Sequence, residues 1–398
     1  MVLEQWQKNL YAIFVAQFFV MMGFNFVNPF LPLFIQQLGG YPNEEAAFWS
    51  GMATAGLGIA LFFSGPLWGI IADKWGRKAM VLRAQFCSVL ILIGVGLSPN
   101  VYWVVALRIV QGFFSGTMTA AQAMVAAGTP REKMPFAMGL LLVAVFSGTT
   151  IGPLLGGFLA DTFGYQPTFY ITGALLFLGG LTVLFFTKEE FERPEPGESA
   201  SLKGLLHLAF SRQMLPLLLT LCALQLGPQM IQPIIPIYIR EIDPLVKAAT
   251  MSGLAFCFMG VTAALSSLAA ARLGGAISLK KILFISCLGT GLLYLPPVWA
   301  GTVVLLIVFI ALTGFFKGGL MASSNALVGL SASKSQQGMA YGVAQSASAL
   351  GLGIGPLIGG VLSPLLGLKA VFGVAAGFFI IIGLVFAKFF QDISLKQE

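Results

Sequence analysis

Twelve runs of mostly apolar residues, each about long enough for a helix to cross a bilayer, fix what this chain can become. A crossing needs about 20 predominantly apolar residues to span roughly 30 Å of hydrocarbon. Such runs cover residues 10–35, 49–72, 79–97, 101–127, 136–160 and 167–187. After a polar gap they resume at 214–239, 251–271, 279–295, 302–330, 339–362 and 370–390. Only 9% of the residues are charged, against about 25% in soluble domains, whose surfaces must be solvated. The expected fold is an all-α membrane protein of twelve transmembrane helices, with its surface in lipid. No cleavage pattern of the small-x-small kind follows the first run, which reads as a retained helix.

The same composition narrows the function. A net charge of +7 would suit a nucleic acid, but the basic residues are scattered through short loops, so no nucleic-acid partner is expected. Cys87, Cys222, Cys257 and Cys287 fall inside apolar runs without CxxC or Cys/His spacing, and His207 is the only histidine. They read as packing residues, and no metal site is expected. The chain has no P-loop, no paired catalytic carboxylates and no metal constellation. An enzyme, or ATP-driven transport by this chain alone, is therefore not expected, and no cofactor is implied.

Lysine and arginine set the orientation, because they concentrate in cytoplasmic loops. With the N-terminus inside, cytoplasmic segments hold Lys8; Lys74, Arg77, Lys78 and Arg83; Arg131 and Lys133; Lys188, Arg193, Lys203 and Arg212; Arg272, Lys280 and Lys281; Lys334; and Lys388 and Lys396. The other side holds Arg240, Lys247 and Lys369. Both termini are expected to be cytoplasmic, in a bacterial inner membrane. The segment 188–213 is rich in glutamate around Pro194 and Pro196 and reads as a solvated linker. It separates an N-terminal six-helix bundle (1–187) from a C-terminal one (214–398). Within it Leu202, Leu205, Leu206, Ala209 and Phe210 share a helical face, which fits an interfacial helix or simply the lead-in to the seventh run.

The two halves repeat each other. Gly148, Gly152, Pro153, Gly156 and Gly157 form GxxxGPxxGG in the fifth run, and Gly351, Gly355, Pro356, Gly359 and Gly360 repeat it in the eleventh. Gly112-Phe113-Phe114 returns as Gly314-Phe315-Phe316, and Pro29 and Pro32 return as Pro233 and Pro236. The offsets are 202 to 204 residues. Two like-oriented six-helix repeats imply a pseudo-twofold axis along the membrane normal, with a solute site between them.

These residues resemble the major facilitator superfamily, and in particular its twelve-spanner drug/proton antiporters. Gly69 to Lys78 is similar to that superfamily's GxxxDxxGRK signature between helices two and three, and Arg108 to Gly112 to its RxxQG element. Gly148 to Gly157 resembles the glycine-proline motif of its exporters, and Asn28 to Pro32 the PxxP element of helix one. The resemblance implies proton-coupled multidrug efflux by alternating access, in a bilayer and as a monomer. It also implies that Asp73 latches the cytoplasmic gate against the start of the eleventh helix, near Gln337, with Arg77 and Lys78 adding charge pairs. Asp73 sits at the wrong end of its own helix dipole, so such a contact would suit it; the alternative is a solvated loop carboxylate beside a basic cluster that sets topology. Gly275 stands where Asp73 would repeat, making the latch one-sided.

The remaining candidates come from the residues themselves. The glycines of runs five and eleven permit close helix approach, and Pro153 and Pro356 free backbone carbonyls. They suit either a pliable seam between the halves or tight static packing. Arg108 and Lys317 are the charges expected inside spans, where an unpaired cation is costly. Either each faces a cavity, or Arg108 snorkels outward and Lys317 snorkels or pairs with carbonyls. Polar stripes run through Gln17, Asn25 and Asn28; Arg108, Gln111 and Ser115; Gln225, Gln229 and Gln232; and Tyr341 and Gln345. They suit a wet solute cavity or hydrogen bonds between helices. Phe24, Phe114 and Phe316 are candidates for aromatic surface. No Asp or Glu sits in the middle of a run, so a cavity with cations alone should disfavour cationic solutes. An importer or symporter, or a lipid translocase, on the same fold is the alternative.

Overall fold

The computed structural model describes residues 4–189, 210, 214–273, 278–330 and 337–389. The first half contains α1 (Gln5–Phe26), α2 (Leu31–Gly39), α3 (Asn43–Trp75), α4 (Arg77–Gly96), α5 (Val101–Phe114), α6 (Thr117–Gly128), α7 (Met134–Phe163) and α8 (Tyr165–Phe186). The second half contains α9 (Met214–Ile231), α10 (Ile235–Ile242), α11 (Ala248–Leu273), α12 (Leu279–Leu293), α13 (Val303–Leu330), α14 (Gln337–Leu366) and α15 (Leu368–Phe389). All twelve expected spans are present as helix. The possible interfacial helix lies outside the described residues.

Three spans expected to be continuous are broken. The first divides into α1 and α2 and the seventh into α9 and α10, at matching prolines. Pro32 and Pro236 each fall in the first turn of the second piece, where a missing N–H costs nothing. The fourth divides into α5 and α6 at Ser115 and Gly116, the latter at φ +105°. The other spans run unbroken, and Pro153, Pro228, Pro356 and Pro364 are carried inside helices.

Packing repeats as the sequence does. In the first half α1 packs on α7 and α8, α3 on α5, and α4 on α8. In the second, α9 packs on α14 and α15, α11 on α13, and α12 on α15. The halves meet through α3 against α14 and α7 against α11. A single apolar core runs through both halves, and a smaller one lies around Leu10, Val81 and Val125 in the first. Helices alternate in direction, so Gly76, Thr129 and Ser278 share one face with Lys8, here termed the basic face. Gly40, Asn100, Gly164 and Gly367 lie on the far face.

Candidate functional site

The break in the fourth span gathers polar groups inside the first half. Where a helix stops within a membrane, the freed carbonyls must find donors in the protein. Arg83 donates from Nη2 to the freed Ser115 carbonyl at 3.3 Å, and Gln17 adds a bond from Nε2 to the Thr117 carbonyl, in the first turn of α6, at 3.4 Å. Trp68 Nε1 donates to the Phe113 carbonyl at 2.6 Å, and Ser64 to that of Gly112 at 3.3 Å. The Arg83 guanidinium lies 3.3 Å from the centroid of the Trp68 ring, a cation–π contact. At the C-terminal end of α5 its charge also suits the helix dipole.

Arg108 and Gln111 belong to the same cluster. Arg108 donates from Nη1 to Gln111 Oε1 at 3.1 Å, and Ser115 Oγ donates to the Gln111 carbonyl at 2.7 Å. Arg108 is 3% exposed and its Nε has no partner. Among the described residues neither Arg83 nor Arg108 forms an ion pair with a carboxylate. Arg108 is thus held inside the bundle and does not snorkel. Arg83, assigned from sequence to the basic loop, lies six residues inside α4 and is the residue that sequence reasoning missed. Its separation from Arg77 and Lys78 by a single helical turn or two disguised it; the tryptophan at Trp68 was the available signal.

The other polar candidates divide. Asn28 Nδ2 donates to Asn25 Oδ1 at 3.2 Å, and Asn25 Nδ2 donates to the Met21 carbonyl at 2.8 Å. Both are half-buried. Gln17, expected on the same stripe, is fully buried and turned toward the fourth span. Gln225, Gln229 and Gln232 are half-buried in the seventh span, and the Cβ atoms of Gln225 and Gln229 lie against Gly351 and Gly355. Lys317 is half-buried and makes no hydrogen bond or ion pair among the described residues, so it does not pair with carbonyls there. Phe114 stacks near Trp68, whereas Phe316 turns to the ninth span, its ring over Gly289. The side chains of Tyr341 and Gln345 lie outside the described residues.

The glycine motif serves two neighbours. Gly148, Gly152 and Gly156 face α1, where an added Cβ would strike the carbonyls of Phe18, Met22 and Phe26. Gly157 faces the other half and the Ala249 carbonyl, while Gly253 sits on the Pro153 carbonyl. The eleventh span does the same. Gly351, Gly355 and Gly359 face α9, while Gly360 meets Phe48 and the Pro356 carbonyl meets Gly51. Among the described residues the hydrogen bonds between the halves lie in the far part of these helices, and the glycine contacts run on to mid-helix, where Gly58 meets Gly353 and Gly260 meets Thr150. Thr250 bonds Asp161 there, and Ser363 Oγ donates to the Glu44 carbonyl at 3.3 Å. The far face is closed.

The basic end of the first half is organised differently. Asp73 lies in the last turns of α3, with its side chain outside the described residues. Lys78 Nζ donates to the Leu184 and Thr187 carbonyls at 2.9 and 2.6 Å. Glu189 accepts from the backbone N–H groups of Arg77 and Lys78 at 2.9 and 2.8 Å. In this structure Lys78 caps α8 within its own half, because that helix end presents free carbonyls.

Comparison with known proteins agrees with this architecture. The sequence profile of the Major Facilitator Superfamily matches residues 13–265 and 217–397. A multi-drug resistance efflux pump PmrA homolog of Lactococcus lactis subsp. lactis is 35% identical over 399 residues, 98% of either chain. The multidrug resistance protein MdtG of Citrobacter koseri is 33% identical over 374 residues, covering 94% of this chain and 92% of that one. A bacterial homolog of the human lysosomal transporter Spinster superposes with a TM-score of 0.81 at 12% identity, over 98% of this chain and 97% of its own. With its repeated bundles and the matched motifs, the chain belongs to the major facilitator superfamily, whose members are multi-pass membrane transporters and not enzymes.

Proposed function

We propose that this chain exports small amphiphilic compounds from the bacterial cytoplasm by alternating access, as a monomeric drug/proton antiporter with both termini cytoplasmic. The observation that carries the proposal is the one-sided contact between the halves. Glycine seams join α7 to α11 and α3 to α14 from mid-helix to the far face among the described residues. Such seams close tightly yet carry few side-chain bonds, so they can part and re-form. The excess of lysine and arginine makes the basic face cytoplasmic, and the arrangement is then the inward-open state. Export is supported by the exporter motif at Gly148 to Gly157 and by relatives named as multidrug efflux pumps. Asn25, Asn28, Gln225, Gln229, Gln232, Arg108, Gln111, Ser115 and Lys317 are the polar groups nearest the pathway on this proposal.

Inverted membrane vesicles test it. Under an imposed pH gradient, acid inside, they should accumulate a fluorescent amphiphile, and a protonophore should abolish the accumulation. Accumulation that ignores the gradient would remove the proton from the scheme. Uptake confined to right-side-out vesicles would make the chain an importer.

A further inference from the structure

Asp161 occupies the last turn of α7, where its own helix dipole disfavours a carboxylate. Its Oδ2 accepts two hydrogen bonds from the other half of the molecule. The Thr250 backbone N–H donates at 2.7 Å and Thr250 Oγ1 at 2.6 Å. Thr250 is the third residue of α11 (Ala248–Leu273), so its N–H has no acceptor within that helix. Asp161 therefore caps a helix that belongs to the opposite bundle. A carboxylate at a helix start is favoured by the dipole, and its hydrogen bonds are charge-assisted.

Backbone contact next to the cap makes it conditional on closure. Gly157 lies against the Ala249 carbonyl and Gly253 against that of Pro153, so α7 and α11 touch directly. Any parting of these helices at the far face breaks both bonds to Asp161. The pseudo-symmetric contact between α14 and α3 has a weaker equivalent, a hydroxyl-to-carbonyl bond from Ser363 to Glu44 at 3.3 Å. Among the described residues Asp161 is thus the one ionisable side chain bonded across the seam.

We propose that Asp161 is the positioning residue that holds the far face shut, and that capping of α11 by its carboxylate stabilises the state open to the basic face. The proposal rests on the alternating-access cycle above: each turnover must break this cap to open the far face and remake it on return. Asp161 need not touch the solute, and it acts through the α7–α11 contact alone.

Spin labels on cysteines at Gln166 and Leu245 of the full, otherwise cysteine-free chain report the distance across the far face. Both positions are exposed. The unmutated chain should show a dominant short-distance population over a minor longer one. Asp161→Ala should enlarge the longer one, shifting the population ratio by roughly tenfold to hundredfold, the range of a charge-assisted hydrogen bond. Thr250→Val, which keeps the backbone N–H, should shift it less, and Thr250→Ser should restore the original distribution. An unchanged distribution in Asp161→Ala overturns the proposal. Should that variant fail to fold, Thr250→Val decides, since it removes the hydroxyl that bonds Asp161 and, at 3.4 Å, the Gly157 carbonyl while keeping the N–H bond, and no shift there is equally fatal. The distances are measured without solute or gradient. A chain that shows the shift but moves no amphiphile would refute export while leaving the cap intact.

Discussion

A cation within a span costs at least about 2.5–3.5 kcal/mol on insertion scales, and three such residues are treated differently here. Arg83 stacks on Trp68 and bonds the Ser115 carbonyl, and Arg108 bonds Gln111. Lys317 has neither kind of partner among the described residues. Removing Arg83 would leave a buried carbonyl unpaired, at about 1–3 kcal/mol. Arg83→Ala should therefore lower the melting temperature in detergent, and Arg83→Lys should not restore it, because an ammonium does not stack as a guanidinium does. On the proposed function, Lys317 is the cation left to meet a solute. At an effective dielectric of about 20, a unit charge 4 Å away contributes on the order of 4 kcal/mol before desolvation. Lys317→Ala should then weaken an anionic solute tenfold or more relative to a neutral one of matched size. Side-by-side uptake in inverted vesicles measures the ratio, and equal losses for both would make Lys317 structural.

Along the elements, the two adjacent glycines Gly156 and Gly157 separate folding from gating. Gly156 is packed on the Phe26 carbonyl within its half, and Gly157 on the Ala249 carbonyl across the seam. Gly156→Ala should destabilise the first bundle by about 1–3 kcal/mol, as overpacking does. Gly157→Ala should leave the melting temperature near the parent's and raise cysteine labelling at the far face. Similar melting losses in both would mean that the seam is static packing. The spacing of this motif was legible in the sequence, as were the spans and the repeat, because twenty-residue apolar runs and small residues every fourth position have few other uses in lipid. The break at Ser115 and Gly116 was not. Its counterpart Gly318 lies in an unbroken α13, packed on the Ala263 carbonyl, so one glycine at equivalent positions serves either purpose. The stripe through Gln17 and Asn25 misled for a related reason. Polar residues four apart share a face of one helix, but which neighbour that face meets changes along its length.

At the scale of the whole molecule, two carboxylates stand at opposite ends of the helices that join the halves. Asp161 caps α11 at the far face, and Asp73 ends α3 at the basic face, the side on which α14 begins. If each closes its own face, substitutions at the two should push the molecule in opposite directions. Sidedness comes first: single cysteines at Asn43 and Asn100 should label from outside intact cells, and one at Ser278 only after permeabilisation. The reverse pattern would overturn the charge argument for orientation. Given that orientation, Asp73→Asn should cut transport while leaving expression and solute binding near the parent's level. It should also raise the inward-open population, since only the far-face cap then remains. Asp161→Ala should lower that population, and the double variant should return it toward the unmutated value, because the two contacts never form in the same state. Opposed shifts that cancel are the signature of two latches on one equilibrium. Full transport by Asp73→Asn, or shifts of the same sign at both sites, would leave a single latch at Asp161 and make Asp73 a solvated residue at the end of α3.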